Sequence, residues 1–164
     1  MTLQHLSTRW VGHDLVVLRD DAQIDRIPGD RIRRVILVCD GSDAPSDLAF
    51  AVIEADGDCV ILPAESGIAG RVHFERQSFW TQHPCIHWTT AAHAPLPRHM
   101  CPGVWLLRRH RPGYLRVPAS AHAPLIERWP LEGPQTWEQR KWARIEANRS
   151  LQPPAAGPRQ APTK

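Results

Sequence analysis

Apolar residues fall in short blocks divided by polar turns, and the blocks predict strands for most of the chain. Leu15–Leu18 is an unbroken apolar run that stops at Arg19-Asp20-Asp21, the mark of a first strand. The residues before it read as a lead-in, with Trp10 and Val11 as an anchor. Ile24 and Ile27 flank Asp25-Arg26, and Pro28-Gly29-Asp30 is a strong turn signal. Ile32 to Cys39 is dense in β-branched residues, which predicts a core strand. A polar loop covers 40–47. Leu48–Ala55 and Cys59–Leu62, separated by Asp56-Gly57, predict a β-hairpin with a primed turn.

Beyond Pro63 the pattern is less regular. A loop leads into a strand or short helix over 71–80. Residues 83–90 alternate, and Pro84 assigns them to a sheet edge. Prolines at 95, 97 and 102 make 91–103 a loop. Val104–Leu107, the turn Arg111-Pro112-Gly113 and Tyr114–Val117 form a second hairpin. Residues 118–134 read as irregular, with Leu125, Ile126, Trp129 and Leu131 packing on the body. Thr136 and Gln139 stand as a capping box at the start of an amphipathic helix over 136–149. The segment 152–164 is a Pro-rich tail of disordered composition.

These elements predict a mainly β, α+β fold: a small antiparallel roll or barrel of about six to eight short strands, with one C-terminal amphipathic helix. Residues 1–151 form a single domain by the length prior. In architecture this order resembles small antiparallel barrels closed by a C-terminal helix, pleckstrin-homology-like domains among them, although the chain carries no diagnostic motif of that family.

Charge adds an asymmetry. Residues 1–82 carry eight Arg against thirteen Asp and Glu, whereas residues 83–164 carry ten Arg and two Lys against four Glu. Such a split suits an anionic partner, or two halves of one fold that attract each other, or protomers docking head to tail. No apolar run is long enough to cross a membrane, and the N-terminus lacks a basic-then-apolar leader pattern, so a soluble, cytoplasmic protein with reduced cysteines is expected.

Three constellations are candidates for chemistry. The first is metal binding by His83, Cys85, His87, His99 and Cys101. Alternation would set the first three on one strand face, and a following loop would complete a zinc site, although the spacing matches no standard zinc pattern. The second is binding through a Trp/Arg surface. Trp105, Arg108, Arg109, Arg111, Tyr114 and Arg116 supply the hairpin part. Trp137, Arg140, Trp142 and Arg144 supply the helix part. Trp137 and Trp142 diverge by about 140° around a helix, so one can face the body while the other meets a partner. The third is nucleophilic catalysis. Ser66 lacks the first glycine of a G-x-S-x-G elbow, Cys39 sits at a strand end, and Gly-rich phosphate loops are absent.

The reading these features favour is a non-enzymatic binding or assembly module that contacts a protein partner, or a second copy, through the basic hairpin and the C-terminal helix. No cofactor is required. A zinc-binding domain or metal-dependent enzyme, and a nucleic-acid or polyanion binder, are the alternatives.

Overall fold

The computed structural model describes residues 5–41, 48–67, 85–97 and 113–151. Among the described residues, eight strands lie in two sheets. The first is an antiparallel meander of β1 (Leu6–Val11), β2 (Asp14–Arg19) and β3 (Ala22–Pro28). The second has the order β7-β4-β5-β6-β8, built from β4 (Ile32–Cys39), β5 (Leu48–Ala55), β6 (Asp58–Pro63), β7 (Ile86–Thr90) and β8 (Leu115–Pro118). Two helices follow, α1 (Ala119–Ile126) and α2 (Trp137–Leu151). The fold is therefore mainly β, of the α+β type.

Local chemistry explains the central hairpin. Asp56 and Gly57 both have positive φ, at 52° and 82°, which is the geometry of a primed two-residue turn. That turn fixes the register, with Ala55 opposite Asp58 and Ile53 opposite Val60. Alternation then sorts β4 to β6 onto two faces. Val35, Leu37, Ala51, Ile53, Val60 and Leu62 meet Leu15, Val17 and Ile27 of the first sheet in one shared core. Ile36, Val38, Val52, Cys59 and Ile61 form a second core with Ile126 of α1 and Trp129. The five-stranded sheet is thus covered on both sides. Cys39 and Cys59 lie in different cores, on opposite faces of it.

Four features depart from the sequence expectation. The lead-in contains a strand, β1, whose Thr8 hydroxyl donates to the Ser66 and Gly67 carbonyls and ties the first sheet to the end of β6. Residues 22–28, given no element from the sequence, are a strand. The sheet is not wholly antiparallel, because β7 runs parallel to β4 after the long connection over 64–85. Residues 118–134 are not irregular throughout. Pro124 lies inside α1, but a helix of two turns forfeits only one hydrogen bond to it, and burial of His122 and Ile126 offsets the loss.

The segment before α2 is pinned to β7. Trp88 and Glu132 exchange backbone hydrogen bonds at 2.9 and 2.8 Å, and the Gln135 N–H donates to the Ile86 carbonyl. Gly133 sits at this close approach. A Cβ there would lie 2.9 Å from the Ile86 oxygen, and its φ of 113° excludes other residues as well. The capping box then forms: the Thr136 N–H donates to Gln139 Oε1, and the Gln139 N–H donates to Thr136 Oγ1. Among the described residues, no helix is long and apolar enough to cross a membrane.

Candidate binding site on the C-terminal helix

Helix α2 carries a stripe at the spacing of a single helical face: Trp137, Arg140, Lys141, Arg144, Ile145 and Asn148. These residues line a cleft of about 240 Å³. Beneath Arg140 lies Trp88, which is 1% exposed and donates its indole N–H to the Gln135 carbonyl at 3.1 Å. The Arg140 guanidinium lies over that indole, 4.9 Å from the ring centroid, and donates from Nε to Glu132 Oε2 at 2.9 Å. Arg140 is only 4% exposed, so stacking and hydrogen bonding hold it in one orientation. Arg144 reaches the other oxygen of Glu132 at 3.3 Å. Lys141 caps the face of Trp137, 5.3 Å from the centroid.

Three cations thus line one cleft, and two of them, Arg140 and Arg144, meet Glu132. The two helix tryptophans diverge as their spacing requires. Trp137 packs against the core shared by the sheets, while Trp142 is 61% exposed. Glu138 and Glu146 stand four residues to either side of Trp142, on its own face of the helix.

The other described members of the expected binding surface serve the fold. Arg116 donates from Nε to Asp58 at 2.8 Å and from Nη1 to Asp25 at 2.7 Å, and the Tyr114 hydroxyl donates to the second Asp25 oxygen at 2.7 Å. This latch ties β8 to β6 and to β3 of the other sheet. The Asp58 and Asp25 carboxylates hold the guanidinium firmly charged. Burial, and then Asp25, raise the pKa of the Tyr114 hydroxyl. Acidic groups of the N-terminal half thus already engage Arg116 and Tyr114, which the sequence offered as partner contacts. Arg140 borders the cleft as a buried, stacked group. Trp105, Arg108, Arg109 and Arg111, and with them the hairpin strand Val104–Leu107, lie outside the described residues, as do the segment 71–80 and the tail 152–164.

Of the metal candidates, His83, His99 and Cys101 also lie outside them. Cys85 packs against the core shared by the sheets. His87 alternates with Ile86 and Trp88 of that core and so projects to the opposite face. Cys85 precedes the strand Ile86–Thr90, so the alternation does not extend to it, and two residues expected on one face are separated. Among the described residues, no group of three His, Cys, Asp or Glu is placed to hold a metal ion. Burial lowers the pKa of His87, which keeps its ring neutral.

The candidate nucleophiles are enclosed. Ser66 is fully buried and its hydroxyl donates to the Pro63 carbonyl at 2.7 Å. Cys39 is 2% exposed. Cys59 is 1% exposed, and burial, with Glu54 nearby, pushes its thiol up to about 11, away from the reactive thiolate.

No protein-family model, curated protein or solved structure matches the chain. The site therefore rests on its own geometry. Sequence reading missed Lys141 as a site residue, and Trp88 and Glu132 as the groups that orient Arg140. The signal for Lys141 was its position one turn after Trp137. No local signal joins Trp88 to Arg140, because strand pairing far along the chain brings them together.

Proposed function

We propose that this protein is a non-enzymatic binding module that docks a protein partner on helix α2. The observation that carries the reading is Trp142, a large aromatic left 61% exposed on a helix whose other side is anchored through Trp137. Tryptophan and arginine are the residue types that most often dominate interface energy, and both stand on this helix. A polyanion fits the surface less well. Glu138 and Glu146 flank Trp142 and repel a phosphate backbone, and the Trp137 face is capped by Lys141 rather than open to a base. An isologous contact with a second copy would oppose the cations of the two helices.

The test is a photoreactive amino acid at position 142 in the native cells, followed by purification of the captured protein. The reading expects that protein to bind the full chain directly, and Trp142→Ala to weaken binding tenfold or more. Direct binding that Trp142→Ala leaves unchanged would overturn it, as would an adduct composed only of a second copy of the chain.

A further inference from the structure

We infer that the cleft on α2 is a carboxylate receptor, which takes one aspartate or glutamate side chain of the protein partner. The inference rests on the reading of α2 as the docking helix and names what that helix recognises. Arg140 is the central observation. A buried guanidinium is costly to place and to orient, and here the Trp88 ring beneath it and Glu132 at its Nε do both. It borders an open cleft rather than a closed core. A fixed guanidinium at the wall of a cleft is ready to donate to a planar oxyanion without further ordering.

Two further cations point to the same ligand class. Lys141 and Arg144 follow Arg140 along the same wall, so three cations line the cleft, two of them bonded to Glu132. Lys141 is exposed, and the Trp137 face it covers makes its ammonium part of the cleft. The apolar lining from Trp137 and Ile145 suits the methylene stem of an acidic side chain. A cleft of about 240 Å³ accepts a side chain and not a polymer. The neighbouring face, with Trp142 between Glu138 and Glu146, completes the match to a protein segment of mixed character. An acidic residue enters the cleft while an apolar residue meets the indole.

Glutarate is a probe that mimics the acidic side chain. Full-length ¹⁵N-labelled protein is titrated with glutarate, with inorganic phosphate and with sodium chloride at matched ionic strength, while the Trp137 indole and Arg140 Nε–H signals are followed. The expected result is saturable shifts with glutarate, weaker by at least tenfold in Lys141→Glu and unchanged in Trp142→Ala. Linear drift equal to that in sodium chloride would overturn the inference. So would phosphate binding ten times tighter than glutarate, which would assign the cleft to a phosphorylated ligand. A normal unfolding midpoint for Lys141→Glu confirms that the variant is folded. Partner binding that survives Trp142→Ala would refute the docking reading while leaving the glutarate result intact, so the two failures are distinguishable.

Discussion

Arg116 and Arg140 are both arginines of the basic half of the chain, and both are largely enclosed, but they are enclosed for different ends. Arg116 spans two carboxylates, Asp58 of its own sheet and Asp25 of the other, and beside it Tyr114 also donates to Asp25. Arg140 lies on an indole, meets one carboxylate that it shares with Arg144, and borders a cleft with Lys141. The first arrangement is closed, since two carboxylates of the fold engage the one guanidinium. The second sets three cations along a surface opening. Counting arginines along the sequence does not tell the two apart. Asking which acid each one meets does.

The largest effect expected is beneath Arg140. Trp88→Ala removes a fully buried ring and the platform under Arg140, and should cost about 3–5 kcal/mol in urea unfolding. Next comes the closed site. Arg116→Met leaves Asp25 and Asp58 facing each other without their cation, and the midpoint should fall by an amount corresponding to about 2–3 kcal/mol. A loss as small as that of a surface arginine would break the distinction between the two regions.

A smaller effect separates the latch by pH. Tyr114 is the single tyrosine of the chain, so absorbance near 295 nm reads its ionisation alone. Its pKa is raised on folding above the ordinary value of 10.0. The contribution to stability is fully present below pH 10 and is lost as the pH rises through the folded value. Titration of the folded protein should therefore lag behind that of the urea-unfolded chain. Tyr114→Phe should cost about 1 kcal/mol near neutrality and flatten the alkaline limb of the stability curve. The smallest stability effect belongs to the cleft. Lys141→Gln should move unfolding by no more than about 0.5 kcal/mol, yet weaken glutarate binding.

What was legible in the sequence was local. Asp56-Gly57 specifies its own turn, and the hairpin follows from it. Thr136 and Gln139 cap α2 by contacts within one turn, and the spacing of Trp137 and Trp142 alone sets which can be buried. What was not legible depends on distant partners. β1 has no apolar alternation of its own and is a strand because β2 offers it an edge. The parallel pairing of β7 with β4 is invisible until the chain returns, and the same return brings Trp88 beneath Arg140. Pro124 masked α1, since a breaker outweighs two turns of pattern until burial against the sheet is known. The basic surface expected from hairpin and helix together is, in the described part of the molecule, divided: the Tyr114–Arg116 end is turned inward by Asp25, and the helix retains the cleft.

The most direct test compares the two regions with one probe. Glutarate affinity is measured by calorimetry for the wild-type chain, Lys141→Gln and Arg116→Met, each at a temperature where circular dichroism shows it folded. A tenfold or greater loss in Lys141→Gln, with no change in Arg116→Met, is the predicted result. Equal loss in both variants, or loss in Arg116→Met alone, would contradict the account.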